Sequence, residues 1–508
     1  MKRNYSSTLY ATLLLTGTGL FSQILGFFYR IALSRLIGAE TMGLYQLIMP
    51  IYSVFLSIAA VGLTTTVSTL TAEYHTLGRK DCIHQTLRRC LTAFLLIVLV
   101  LGLAVILFSD AISVYLLGDA RTRLGLVLLI PCLLLTGVEN LHKHTFYGSG
   151  NVRPPALTEI CEQIIRTVAV LTLLLIFLPQ NPERTVGLIV AGMVLCEIFS
   201  ATTLVILFRR HMGRRHKSGP PAVSWKRITS VAVPVGFTAL LGNLMGSVTS
   251  VMIPQRLVVG GMEASDAMSA FGVLCGMTIP LLNMPAALMG AFCLIMVPKL
   301  DESVALNDQR GLHRRLGRTI TATSALMMPA TALLSVIGPS LGSLLFRDPR
   351  VGSHMLPLAV ALLLCCYQSV LASALNGIQK QAAAARNALI SDVVQLVFTW
   401  YTVALPKVGL TGYVIGFLVS TVVGLVLNII SVVRATGLRL QPFAWLVCPA
   451  LSSLLMGLSI NLLFRCLQTN DVSLIFSILL CTLFGIVEYL AALQAQGFSV
   501  KSLLHVSK

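Results

Sequence analysis

A chain of 508 residues that is 56% hydrophobic and 11% charged, with a mean hydropathy of +0.85, has too little polar surface to close around one aqueous core. Its net charge of +18 is spread over short connections between apolar runs, where it would meet anionic headgroups of the inner leaflet and needs no nucleic acid. These numbers predict an all-α polytopic membrane protein and exclude a soluble enzyme.

Apolar runs of about 20 residues recur along the whole chain. They predict fourteen spans, near 8–36, 43–71, 90–108, 123–140, 156–178, 185–208, 229–252, 269–297, 319–345, 355–376, 386–405, 410–433, 443–464 and 472–493. The first carries Ser22-Gln-Ile-Leu-Gly-Phe-Phe-Tyr-Arg30-Ile-Ala-Leu-Ser-Arg35-Leu-Ile-Gly38, two arginines and no acid. A charge inside a span costs about 2.5–3.5 kcal/mol on insertion scales, so it faces a wet cavity, a partner or the headgroups. Arg30 and Arg35 stand five residues apart, roughly 140° around the helix, so they do not share one spot. Guanidinium groups remain charged and grip phosphate oxygens in pairs, which makes Arg30 and Arg35 candidates for an anionic substrate; snorkelling to the outer headgroups is the alternative for each.

In the fifth span Glu162 and Arg166 lie four apart with the acid first, the favourable order for a helical ion pair. The pair either neutralises itself or opens as a gate when a substrate phosphate takes Arg166. Glu159, Glu162, Glu197 in the sixth span and Asp392 in the eleventh are candidates for proton or cation coupling, or else buried structural partners. Arg256, at the outer end of the seventh span, is a substrate contact or an anchor. Pro50 in the second span, with Pro280 and Pro285 in the eighth, each remove a backbone donor and are candidate hinges.

The 12 cysteines fall within spans or on the inner side, where disulfides are not expected, and the histidines show no ligand spacing. Neither a metal nor a cofactor is called for. The connections on the outer side are short and offer no carboxylate or histidine constellation, so no catalytic residue is expected. With a cytoplasmic N-terminus, 26 of the 37 basic residues fall on the inner side, and both termini are expected to face the cytoplasm. Lys2-Arg3 precedes a hydrophobic stretch too long for a signal peptide, so the first span is expected to be retained as an anchor.

At an offset near 229 the sequence matches itself: Phe146-Tyr-Gly148 with Ala156 corresponds to Leu375-Asn-Gly377 with Ala385, and Pro50 to Pro280. Six spans separate the copies, an even number, which predicts a parallel repeat about the membrane normal with substrate bound between two lobes. The basic, Gly- and Pro-containing segment Arg209–Pro221 is the expected linker. The predicted lobes are residues 1–215 and 216–438, with 439–508 forming two additional spans and a cytoplasmic tail.

The run Gly26-Phe-Phe-Tyr-Arg30-Ile-Ala-Leu-Ser-Arg35-Leu-Ile-Gly-Ala-Glu-Thr-Met-Gly-Leu-Tyr45 resembles the first-helix signature of the stage V sporulation protein B family. That family belongs to the polysaccharide transporter branch of the MOP superfamily, which also holds the lipid II flippases and the multidrug and toxin extrusion antiporters. Asn151 to Arg166, Val251-Met-Ile-Pro-Gln-Arg-Leu257 and Phe271-Gly-Val-Leu-Cys-Gly-Met-Thr-Ile-Pro-Leu-Leu-Asn-Met-Pro285 agree with it in order and spacing. Two departures stand out. The family's Arg-Gly-Tyr-Phe-Gln-Gly run is replaced by His144-Thr-Phe-Tyr-Gly148-Ser-Gly-Asn151, and Ser247-Val-Thr-Ser-Val-Met-Ile-Pro254 has no acid before its proline. The resemblance implies an alternating-access flippase for an undecaprenyl-linked glycan, such as a peptidoglycan precursor or polysaccharide repeat unit, in the cytoplasmic membrane of a spore-forming bacterium, with envelope-synthesis proteins as partners. A cation-coupled drug antiporter of the same fold would want a cavity-facing acid in the first or seventh span, where this chain has none. A membrane scaffold that moves nothing is the alternative of a different class.

Overall fold

The computed structural model describes residues 5–213, 223–306, 308–438, 441 and 443–497, and among them every regular element is helical. In chain order the α-helices are α1 (Tyr5–Leu56), α2 (Gly62–Thr76), α3 (Lys80–Ala111), α4 (Arg123–Gly148), α5 (Arg153–Phe177), α6 (Pro182–Met212), α7 (Trp225–Val259), α8 (Ala264–Phe271), α9 (Ile279–Ala305), α10 (Gln309–Phe346), α11 (Met355–Gly377), α12 (Gln381–Thr402), α13 (Leu410–Thr436), α14 (Cys448–Thr469) and α15 (Leu474–Ala495). Single π-helical segments at Ser57–Val61 and Gly272–Thr278 join α1 to α2 and α8 to α9. The first lobe boundary at 215/216, most of the expected linker, Arg439 and the tails with Lys2, Arg3, Lys501 and Lys508 lie outside the described residues.

Twelve helical runs are long and apolar enough to cross a membrane. One of them, Leu14–Thr76, is two rods: Gly38 takes φ 75°, a left-handed conformation that only glycine adopts without cost, and breaks the helix there. Helix α12 has a spanning length of 22 residues but is made more polar by Arg386, Asn387 and Asp392. With these two included, the fourteen spans that hydropathy predicts are all present. Several helices outrun their apolar stretches: α3 starts at Lys80, α4 continues to Gly148 and α10 starts at Gln309. Hydropathy marks the part of a helix that fits hydrocarbon, and a polar helical end continues past it.

The faces follow from the same solvent. In α3, Phe94, Val98 and Val105 are buried at helical spacing, while Leu96, Leu99, Val100, Leu103 and Leu107 are exposed. An outward stripe as apolar as the inward one belongs against lipid. Hydroxyl groups within the helices bond the carbonyl one turn back, as Thr66 does to Gly62 at 2.8 Å and Thr86 to Cys82 at 2.8 Å.

By its internal packing the chain divides into two compact units, Met1–Val258 with Met262–Gly272, and Val259–Gly261 with Val273–Lys508. Helices α7 and α8 thus join the first unit, although the sequence repeat counts them in the second copy. Close backbone approach explains it: a Cβ on Gly62 would stand 2.1 Å from the Ala232 carbonyl, and one on Gly43 would stand 2.2 Å from that of Met268. Ser247 in α7 donates to the Pro50 carbonyl at 2.8 Å, and Asn243 donates to Ser57 Oγ at 2.6 Å. In the second unit Leu300, Leu312, Leu371 and Leu375 share one core, and α14 and α15 pack on α10 through Ile337, Met456 and Ile460. Tyr489 in α15 donates to the Ala325 carbonyl at 2.9 Å.

Contacts recur at the sequence offset. Gly148 lies against the Ser68 carbonyl and Thr71, and Gly377, 229 residues on, lies against the Val297 carbonyl and Leu300, each also 229 on. Asp119 accepts from the Arg121 backbone N–H at 2.9 Å, and Asp348 from the Arg350 N–H at 2.9 Å. The Arg350 guanidinium beside it holds the Asp348 carboxyl below the usual carboxylate range. Each copy therefore uses the same glycine contact and the same acidic cap.

A Cβ at Gly148 would meet the Ser68 carbonyl at 2.5 Å, and one at Gly377 would meet the Val297 carbonyl at 3.0 Å. Overpacking of this kind costs about 1–3 kcal/mol. Gly148→Ala is expected to lower the thermal midpoint of detergent-purified protein by several degrees, and Gly377→Ala by less, as read by scanning fluorimetry.

Candidate functional site

A cluster of charged groups in the first unit is built on α5. Pro154 and Pro155 start the helix where missing donors cost nothing, and from there α5 runs unbroken past Glu159, Glu162 and Arg166. The pair that the spacing predicts forms: Arg166 Nη2 donates to Glu162 Oε1. The same nitrogen lies 3.3 Å from Glu197 Oε1 on α6, and Nη1 lies 3.4 Å from Gln163 Oε1. Ser200 Oγ donates to Glu162 Oε2 at 3.4 Å, and Cys196 Sγ to the Glu162 carbonyl at 3.2 Å. Two candidate acids from different helices are thus gathered by one arginine.

A third acid completes the group. Glu139 on α4 is buried, and one of its carboxylate oxygens lies with one each from Glu162 and Glu197 within 4.8 Å of one another. Glu139 is absent from the sequence-based candidates because it falls at the end of an apolar run, four residues before Lys143, where the two look like an interfacial pair. Helix α4 continues to Gly148, so both residues are interior, and Lys143 turns instead to Glu159 at 3.0 Å. Lys143 is therefore a helical residue with a partner of its own. Glu159 is drawn away from the other acids by that bond.

Arg30 occupies the seam between α1 and α5. Gly26, one turn before it, leaves room for Gln163, whose Nε2 would be 3.3 Å from a Cβ there. Arg30 is half-buried and forms no ion pair among the described residues, and both it and Arg166 act electrostatically on the buried Tyr29 and Tyr45. Arg35 is exposed, just before the break at Gly38, and Arg256 is half-buried in the last turn of α7. Neither belongs to the acid cluster. Asp392 sits half-buried in α12 of the second unit, apart from the other acids.

Pro50 stands inside α1, seven residues before the π-helical segment Ser57–Val61, Pro280 stands in the first turn of α9, two residues after the segment Gly272–Thr278, and Pro285 lies further along α9. A π segment shifts the hydrogen-bond ladder by one residue beside a proline that cannot donate to it. The second unit also holds an apolar cavity of about 400 Å³ between α10, α11, α13 and the start of the C-terminal pair, walled by Leu363, Tyr367, Leu371, Ile429, Val433 and Trp445. Its lining has no charged residue.

Removing one partner of a buried ion pair costs about 3–5 kcal/mol because the other charge is stranded. Arg166→Ala strands two carboxylates beside a third. It is expected to lower the thermal midpoint more than Glu162→Gln does, and the Arg166→Ala/Glu162→Gln double variant is expected to recover part of that loss. An Arg166→Ala protein that melts with the wild type would show the arginine to be idle.

Residues 9–260 match the polysaccharide biosynthesis protein family. Among curated proteins, stage V sporulation protein B of Bacillus subtilis (strain 168) is 23% identical over 442 residues, 85% of this chain and 84% of that protein. Lipid II flippase MurJ of the same organism is 24% identical over 456 residues, 83% of this chain and 82% of that one. Among solved structures, lipid II flippase MurJ in its inward closed conformation has a TM-score of 0.69 at 14% identity, covering 94% of this chain and 98% of that one. An inward-facing multidrug resistance MATE family transporter of the MOP superfamily has a TM-score of 0.66 at 15% identity, covering 84% of this chain and 99% of the other. The structural likenesses carry the fold, and the sequence matches carry the kinship. With its fourteen spans and arginine-bearing first helix, this chain is a multi-pass membrane protein that is similar over residues 9–260 to the polysaccharide biosynthesis protein family and over most of its length to stage V sporulation protein B and lipid II flippase MurJ.

Proposed function

We propose that the protein is a flippase for an undecaprenyl-linked, phosphate-bearing glycan, of the peptidoglycan-precursor or polysaccharide-repeat type, acting in the cytoplasmic membrane. The observation that carries this reading is Arg30: a guanidinium held within a membrane span with no acid to neutralise it among the described residues. Such a group remains charged and is suited to a phosphate, and a charge without a partner in a span is rarely kept without use. Kinship to a protein named lipid II flippase over 83% of the chain supports the same substrate class. The apolar cavity of the second unit offers the kind of lining that a polyprenyl tail needs.

The roles follow from placement. Arg30 contacts the phosphate, and Arg35 and Arg256, at the ends of their rods, meet it on entry or exit. Arg166 is released from Glu162 and Glu197 when substrate phosphate competes for it, which makes the ion pair a gate. Pro50, Pro280 and Pro285 allow their helices to bend between two access states, the π segments beside Pro50 and Pro280 supplying the slack. The sequence repeat and its recurring glycine contact suit two copies that move as bodies about such hinges.

Native mass spectrometry of purified protein offered a mixed panel of lipids and drugs tests this reading. Wild type is expected to retain polyprenyl-pyrophosphate glycans, and Arg30→Ala to lose at least tenfold in their retention at unchanged expression. Retention of organic cations alone would overturn it in favour of a drug antiporter. For the hinges, Pro280→Ala is expected to slow transport in liposomes while leaving substrate retention within about twofold, and equal loss of both would count against them.

A further inference from the structure

The sequence repeat touches itself where α1 meets α8. In the rod of α1 that follows the break at Gly38, a Cβ on Gly43 would strike the Met268 carbonyl, and a Cβ on Gly272 would strike the Ala39 carbonyl. Gly272 stands 229 residues after Gly43, and Met268 stands 229 after Ala39, so this is one contact made twice. The two glycines lie side by side, a Cβ on Gly272 falling 2.7 Å from the Gly43 nitrogen. A reciprocal contact of this kind lies on the axis that relates the two copies. Backbone rests on backbone there, and among the described residues no hydrogen bond or ion pair links α8 to α1. Such a seat parts without stranding a polar group.

One side of the contact is fixed. Glu40, next to Ala39, accepts from Arg121 Nη1 at 2.6 Å, and Arg121 Nη2 donates to Asp119 at 2.7 Å, which ties the rod to the turn before α4. Ser269, the equivalent of Glu40 in α8, has no charge with which to repeat that tie. The other side is built to move. Helix α8 has eight residues, with Ala267, Met268 and Phe271 buried and Ala264 and Asp266 exposed. It follows Gly261, whose φ of 94° is open to glycine, and it runs into the seven-residue π-helical segment Gly272–Thr278. The compact units change over at the same two places, since Val259–Gly261 and Val273 onward belong to the second unit and Met262–Gly272 to the first.

We propose that α8 is a hinged flap, seated on α1 at the Gly43–Gly272 crossing and lifting about Gly261 and the Gly272–Thr278 segment. The rod after Gly38 begins on the side of the membrane remote from the start of α1, the outer side in the expected orientation, so the flap opens and closes that end of the first unit. It does not depend on which substrate the protein carries.

The test is labelling of Ala267→Cys, in otherwise unaltered protein in lipid nanodiscs, with a membrane-impermeant maleimide, each adduct being located by peptide mass spectrometry. Ala267 is 0% exposed, so a thiol there reacts only when α8 lifts. Leu117→Cys, 1% exposed just beyond α3, is the control for burial alone. The Ala267→Cys thiol is expected to react roughly tenfold faster than the control or more, because local opening costs less than unfolding. Gly43→Ala, which wedges the seat, is expected to raise that rate further and to leave the control unchanged. A rate no faster than the control overturns the flap, and so does one that Gly43→Ala leaves unaltered, since the crossing is then not its seat. Should the variants fail to fold, hydrogen–deuterium exchange of the wild-type protein decides. Faster exchange across 264–278 than across 39–56 supports the flap, and exchange no faster overturns it.

Discussion

The constraint on which the rest depends is the lack of water inside a bilayer, which obliges every polar group in a span to find its partner within the protein. Backbone groups meet it by remaining helical through fourteen crossings. Hydroxyls meet it locally, bonding the carbonyl one turn back as Thr66 and Thr86 do. Charges also reach partners on other helices, as Arg166 reaches Glu197 and Lys143 reaches Glu159, and so help decide which helices come together. Leucine packs equally well against lipid or protein, and α3 presents it to both.

Within the first unit this constraint shapes α4, α5 and α6. Arg166 cannot be left unpaired, and one acid four residues away on its own helix would suffice. It also takes Glu197, and Glu139 joins from the third helix, so the group contains more acid than neutralisation requires. Arg30 shows the opposite imbalance, a positive charge without an acidic partner among the described residues. Arg30 and Arg166 both act electrostatically on Tyr29 and Tyr45.

Much of this architecture is legible in the chain. Hydropathy marks the spans, including the fifth with its Glu162 and Arg166, because four-residue spacing puts both on one helix face whatever the tertiary structure. The repeat shows in Gly148 and Gly377, where a side chain would strike a neighbouring carbonyl. Less legible were Glu139 and Lys143. Their spacing looks like a pair at a helix end, and only the continuation of α4 to Gly148 makes both interior and sends Lys143 to Glu159. Helices α7 and α8 are another case: repeat logic counts them with the second copy, and close contacts at Gly43 and Gly62 pack them with the first unit.

The sequence by itself determined the solvent, the number of crossings, the duplication and the kinship, because each rests on composition, on period or on residues near one another in the chain. Tertiary structure alone decided which acids share Arg166, that Glu139 joins them from a third helix, and that Glu159 is held by Lys143. Those outcomes depend on how neighbouring helices are rotated about their axes. In a bilayer, hydrophobicity fixes that rotation weakly, and packing and charge pairing across helices fix it instead.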